Sequence, residues 1–134
     1  MKEAVQYRLP IRIYLEDTDA QGIVYHANYL KYFERARSEI FESLGIGVGE
    51  LSCADRRYVV YEIRVKFRRT GSLGDRMEVV SFMQRASDYR LTFHQEARRA
   101  GEATALASAE VDVVCIDRQG KLVEIPLQIA SAPG

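Results

Sequence analysis

A single segment with helical periodicity, set among segments that alternate between apolar and polar residues, constrains the fold most strongly. Within residues 28–44 the apolar side chains recur at helical spacing and therefore share one face of a helix. The residues on this face are Tyr29, Leu30, Phe33, Ala36, Ile40, Phe41 and Leu44. Such a helix would be about 25 Å long, with Asn28 as the predicted N-cap and Gly45 just beyond its C-terminus. Its apolar face has to be covered by the remaining chain.

The other segments alternate with a period of two, which is typical of β-strands. In residues 7–15, Pro10 favours a strand that begins near it or lies at a sheet edge. Further strands are predicted at about residues 61–67, 77–83, 89–97 and 103–115, followed by a short last strand or extended tail at 122–129. The alanine-rich segment 103–115 could be helical by propensity. Its alternation instead favours a strand with small side chains facing the helix.

One strand, one helix and then four strands indicate a single α+β domain over residues 1–134. The chain has 19 basic and 19 acidic residues, so it lacks the basic excess that is typical of nucleic-acid-binding proteins. No apolar run approaches the roughly 20 residues of a membrane-spanning helix. The first residues lack the apolar stretch of a signal peptide. We therefore expect a cytoplasmic protein without a membrane span or a nucleic-acid partner.

The metal-binding and redox residues are few. Two reduced thiols, Cys53 and Cys115, are favoured over a disulfide because nothing indicates secretion. His26 and His94 are the only histidines, and no Cys-x-x-Cys pair is present. The sequence therefore predicts neither a metal site nor a cofactor.

The segment between the first strand and the helix has the composition of a reactive site. Residues 16–29 combine three carboxylates, one histidine and one glycine at the start of the helix. Helix N-termini expose free N–H groups and carry a partial positive charge. Such groups can stabilise the oxyanion that develops when a carbonyl is attacked. A nearby carboxylate can act as nucleophile or general base, although Asp19 is by itself also compatible with a turn cap.

This same segment carries a family resemblance. Residues 14–29, which read YLEDTDAQGIVYHANY, strongly resemble the signature of hotdog-fold thioesterases. The sequence is most similar to 4-hydroxybenzoyl-CoA thioesterases and to the acyl-CoA thioesterases associated with the Tol–Pal system. The similarity continues through residues 32–37, with weaker similarities at 73–75 and 123–126. It implies the hotdog fold, in which a curved antiparallel sheet wraps one long helix.

The resemblance also implies an activity and a set of site residues. It implies hydrolysis of acyl-CoA by a homodimer or homotetramer with active sites at the dimer interface. Asp19 would be the catalytic carboxylate, and a backbone N–H near His26 would polarise the thioester. Asp17 is expected to be a structural acceptor, and His26 is a candidate catalytic residue with a structural role as the alternative. Candidate substrate-binding residues in the motif are Gly22, Tyr25 and Asn28. Because CoA carries phosphates, the arginines at predicted strand ends are further candidates, namely Arg68, Arg69, Arg85 and Arg90.

Several alternatives stay open at this point. Packing for Tyr25, helix capping for Asn28 and ordinary surface charge for the arginines compete with roles in substrate binding. Glu34 is a further candidate because another branch of hotdog thioesterases uses a helix carboxylate, but a solvated or paired charge is favoured. The acyl donor could be acyl carrier protein instead of CoA. The competing functions are a non-hydrolytic acyl-CoA binding or sensing domain and an enoyl-thioester hydratase.

Overall fold

The computed structural model describes residues 5–45, 56–126 and 129. In chain order the elements are β1 (Tyr7–Arg12), a 3-10 turn (Leu15–Asp17), α1 (His26–Ser43), β2 (Arg57–Phe67), β3 (Arg76–Ser87), β4 (Arg90–Arg99) and β5 (Ala105–Ile116). The strands form one five-stranded sheet in the order β1-β3-β4-β5-β2, and every neighbouring pair is antiparallel. The predicted α+β arrangement of one helix and an antiparallel sheet is confirmed.

The helix begins earlier than the sequence predicts. Its first residue is His26, and Tyr25 is the N-cap, without a side-chain capping bond. The prediction of Asn28 as N-cap is therefore wrong, because its amide Nδ2 donates to the carbonyl of Asp17 in the preceding loop at 2.8 Å. Gly45 has a φ of 82° just beyond the helix, as predicted for a glycine at this position.

The apolar face of α1 packs mainly against β1, β3 and β4. Leu30, which the periodicity assigned to this face, is instead 39% exposed. The predicted small side chains of β5 do face the core, where Ala107 and Ala109 are buried. The larger residues that contribute to this core include Tyr32, Phe33, Ile40, Met77, Leu91, Phe93 and Val111.

A buried arginine in α1 departs from the predicted pattern. Arg37 is only 7% exposed, although a charged side chain is expected on the exposed face of an amphipathic helix. Its Nη1 donates to Gln95 Oε1 at 3.0 Å, and the Gln95 amide donates in turn to the Phe33 carbonyl and to Ser81 Oγ. Burial lowers the pKa of Arg37. The hydrogen bonds from α1 to the sheet make this burial tolerable.

Several segment boundaries differ from the predictions. β1 ends at Arg12, and β2 begins at Arg57, so the first strand is shorter and the second longer than predicted. Among the described residues 122–126 there is no strand, only a single bridge between Leu122 and Ile116. The extended-tail alternative is therefore the correct one for that segment.

Cys53 lies outside the described residues, whereas Cys115 is a free buried thiol whose pKa is raised by burial.

The β2 strand forms one edge of the sheet, and α1 leaves its inner side largely uncovered. Val60, Ile63 and Phe67 on that side are 39%, 37% and 51% exposed. Their cross-strand partners on β5 are buried core residues. The opposite edge is β1, where Pro10 is consistent with the predicted edge position.

Within the described ranges, no helix is long and apolar enough to cross a membrane.

Candidate active site

The loop that links β1 to α1 is held against a second loop, between β2 and β3. Ile13 N donates to the Asp75 carbonyl at 3.0 Å, and Val24 N donates to the Gly71 carbonyl at 2.8 Å. In the other direction, Leu73 N donates to the Gly22 carbonyl at 3.1 Å. These backbone bonds fix the first loop at both of its ends.

Gly71 makes this close approach possible. A Cβ at this position would overlap the side chain of Met77 and crowd Tyr29 and Val24. The Gly71 N–H also donates to the hydroxyl of Tyr29 at 3.2 Å. A side chain here would force Met77 to move and would crowd Tyr29 and Val24, so Gly71 and Tyr29 support the site although the sequence pattern did not identify them.

Asp17 is the hydrogen-bonding centre of the first loop. Its Oδ2 accepts the N–H of Tyr14 at 2.8 Å. Its carbonyl accepts the N–H of Tyr25 at 2.9 Å and the side-chain amide of Asn28 at 2.8 Å. The prediction that Asp17 is a structural acceptor is confirmed, because one residue fixes both the turn and the start of the helix.

Asp19 lies at the tip of the same loop with an exposed side chain. Its Oδ1 accepts the N–H of Gln21 at 2.8 Å, and its carbonyl accepts the N–H of Gly22 at 3.0 Å. Gly22 has a φ of 76°, which favours glycine at this turn. Oδ2 of Asp19 has no hydrogen-bond partner within the described part of the chain. The carboxylate is thus held by one oxygen and has the other free.

The turn after Asp19 leads directly into the helix. Asp19 N donates to the Ile23 carbonyl at 2.9 Å, and a bridge joins Thr18 to Val24. The N–H groups of His26 and Ala27 form no hydrogen bond with any described residue, as expected for the first turn of a helix. The loop therefore brings a carboxylate and free helix-start donors into one exposed region.

The remaining candidates on this loop have different surroundings. The His26 side chain is exposed, and its ring contacts that of Phe67 at 5.9 Å between centroids. Tyr25 is 47% exposed, so it is not a core packing residue. Asn28 is buried, and its amide nitrogen is already bonded to Asp17. The structure therefore gives little support to a role of Asn28 in substrate binding.

Two of the candidate arginines, Arg85 and Arg90, lie at the other end of the sheet. β3 runs from Arg76, near the first loop, to the turn beside Arg85 and Arg90, a distance of about 30 Å along the strand. Arg85 donates to the carbonyls of Ser87, Asp88 and Ile125. Arg90 Nη1 donates to the Tyr61 hydroxyl at 3.1 Å. Within one chain, the structure does not bring either arginine to Asp19.

The other polar candidates lie apart from the loop. Glu34 is exposed and accepts a hydrogen bond from Ser38, as expected for a helix surface charge. His94 stacks on Phe82 at 4.6 Å on the outer side of the sheet. The described segments contain no group of three or more His, Cys, Asp or Glu side chains that could hold a metal ion.

Known proteins share both the sequence and the architecture. A family model described as the thioesterase-like superfamily matches residues 13–132. The acyl-CoA thioester hydrolase YbgC of Escherichia coli is 37% identical over 111 residues, which cover 83% of this chain and 82% of that protein. The acyl-CoA thioesterase YbgC of Haemophilus influenzae is 33% identical over 129 residues, covering 94% and 93%.

Solved structures match over nearly the full length. The crystal structure of a 1,4-dihydroxy-2-naphthoyl-CoA thioesterase from Synechocystis has a TM-score of 0.88 and 25% sequence identity, covering 96% of this chain and 95% of that one. The sheet order, the single long helix and the family match agree with one another. The chain therefore belongs to the thioesterase-like superfamily and is a thioesterase of the hotdog fold.

Proposed function

We propose that this thioesterase hydrolyses acyl-CoA and that Asp19 is its catalytic carboxylate. The observation that carries the proposal is the position of Asp19 on a tight turn leading directly to a helix start with free N–H groups. The YbgC relatives are named for acyl-CoA thioester hydrolysis, which supports the same substrate class. Thioesters are reactive acyl donors, so a carboxylate and an oxyanion site can suffice for their hydrolysis.

The chemistry assigns a separate role to each part of the loop. The thioester oxygen would accept hydrogen bonds from the N–H groups of His26 or Ala27. Asp19 would attack the carbonyl carbon to form an anhydride that water then opens, or it would take a proton from the attacking water. In both routes the C–S bond breaks, and the sulfur leaves with the bonding electrons and becomes the CoA thiol. Water supplies the second oxygen of the carboxylate product and the proton that converts the thiolate into the thiol, and its other proton is released to solvent.

The phosphates of CoA need cationic side chains near this loop. Arg68 and Arg69 are exposed and follow directly after Phe67, whose ring contacts His26. Arg68 Nε donates to Ser108 Oγ at 3.2 Å. Within one chain these two residues are better positioned than Arg85 and Arg90 to bind phosphates. The latter pair would require a neighbouring subunit.

We also propose that the active enzyme is a homodimer formed through β2. An unpaired strand edge with exposed apolar side chains is a template for pairing with another chain. Val60, Ile63 and Phe67 would be covered by the partner, and the sheet would continue across the interface. Because the Phe67 ring contacts that of His26, the active site would lie beside this interface. Further assembly into a tetramer remains a prediction.

The proposed activity is tested by following CoA thiol release from acetyl-, benzoyl- and longer-chain acyl-CoAs. We expect enzyme-dependent release from at least one class, with the preferred class identifying the acyl group. Acyl carrier protein thioesters should be tested in the same way. Tight binding of every acyl-CoA without thiol release would favour the non-hydrolytic binding domain. Hydration of crotonyl-CoA without thiol release would favour the hydratase.

A further inference from the structure

The hydroxyl group of Tyr32 is buried without a partner beneath the loop that carries Asp19. The Tyr32 side chain is 1% exposed. Its oxygen has no hydrogen-bond partner among the described residues. An unpaired buried hydroxyl is unfavourable, whereas a phenylalanine would fill nearly the same space without that cost. Packing alone therefore does not account for a tyrosine at this position.

Helix geometry directs this hydroxyl towards Asp17. Tyr32 follows Asn28 by one helical turn on the same face, and helical side chains lean towards the N-terminus. The Asn28 amide donates to the Asp17 carbonyl, so Asp17 lies above this face of the helix. Burial raises the pKa of Tyr32, and the nearby Asp17 carboxylate raises it further. Both the helix geometry and the electrostatics therefore connect the two residues.

Asp17 has an acceptor available for this hydroxyl. Its Oδ2 accepts the Tyr14 N–H, and the carboxylate lies close enough to the Tyr32 hydroxyl to raise the pKa of that group. We propose that Asp17 and Tyr32 act as a positioning pair, in which the buried Tyr32 hydroxyl donates to the Asp17 carboxylate when acyl-CoA is bound. The inference rests on the proposed function of Asp19.

The consequence concerns the position of the catalytic carboxylate. Asp19 is separated from Asp17 by a single residue, and the Asp17 carbonyl also holds the N–H of Tyr25 just before the helix. The position of Asp17 therefore determines that of Asp19. The positioning pair sets the distance between the Asp19 carboxylate and the free N–H groups of the first helical turn.

The test is the variant Tyr32→Phe, assayed for acyl-CoA hydrolysis and for thermal unfolding. We expect kcat to fall about tenfold, because small misplacements of reacting groups slow catalysis. KM should change little, and Tm should not fall, because the change removes an unpaired buried hydroxyl. Tyr7→Phe on β1 is the matched control and should leave kcat unchanged. A wild-type kcat for Tyr32→Phe, or a loss of kcat accompanied by a lower Tm, would overturn the proposal.

A double-mutant cycle with Asp17→Asn identifies the partner. If the two residues act through one hydrogen bond, the double variant should lose no more kcat than the more impaired single variant. Multiplicative losses would contradict the pairing. The results also distinguish a failure of the positioning pair from a failure of the proposed function. If Asp19→Asn abolishes hydrolysis while Tyr32→Phe is normal, only the positioning pair is rejected. If Asp19→Asn is fully active, the role of Asp19 itself is rejected.

Discussion

Replacing Asp19 with asparagine is expected to lower kcat for acyl-CoA hydrolysis by about 10²–10⁴-fold. Asparagine keeps an oxygen that can accept the Gln21 N–H, so the turn that holds the side chain should persist. What is lost is the negative charge and the basicity that either route of hydrolysis requires. The measurement is CoA thiol release under saturating substrate, together with a thermal unfolding curve to confirm that the variant is folded.

A matched control for this substitution exists elsewhere in the chain. Asp117 Oδ1 accepts the N–H groups of Gln119 and Lys121, each at 2.9 Å, in a turn that resembles the one at Asp19. Asp117→Asn should therefore cause a similar small change in stability and leave kcat unaffected. Equal activity of the two variants would mean that Asp19 is only a turn residue.

A charged residue on the inner side of β2 is expected to separate the subunits and to abolish most of the activity. In Ile63→Lys, a side chain that is 37% exposed in the single chain would carry an ammonium group into the proposed interface. Burial of an unpaired charge there is strongly unfavourable. Sedimentation analysis should show the mass falling from a multiple of 15.3 kDa to 15.3 kDa. We expect kcat/KM to fall at least about tenfold, because the active site lies beside this strand.

Tyr89→Lys provides the comparison for the interface variant. Tyr89 is 46% exposed and lies in the turn between β3 and β4, away from the inner side of β2. This control should keep both the assembled mass and the activity. A wild-type protein that is monomeric at assay concentration and fully active would contradict the proposed dimer, as would an Ile63→Lys variant that stays assembled.

Local patterns were sufficient to predict the element order and the position of the reactive segment. Burial of one face produces helical spacing in one segment and alternation in the others, and both patterns can be seen within a short stretch of sequence. The site was identified because Asp17, Asp19, Gly22 and His26 are close together along the chain. Because they cluster just before the helical segment, they indicated both a reactive site and the family resemblance.

Contacts between distant parts of the chain could not be predicted in this way. Arg37 is buried because Gln95, on a strand far along the sequence, accepts its hydrogen bond. Asn28 failed as an N-cap because the Asp17 carbonyl bonds both its side chain and the N–H of Tyr25. Sheet order decides that Arg85 and Arg90 lie at the end opposite Asp19, and no local periodicity contains that information.

A crystal structure with phenacyl-CoA would show whether the substrate carbonyl and Asp19 meet at the start of α1. In this analogue a methylene group separates the carbonyl from the sulfur, so it binds without being hydrolysed. We predict that its carbonyl oxygen lies about 3 Å from the backbone nitrogen of His26 or Ala27. The Asp19 carboxylate should then lie within about 3.5 Å of the carbonyl carbon, or reach it through one water molecule. A carbonyl bound away from the helix start, with Asp19 directed into solvent, would rule out this mechanism.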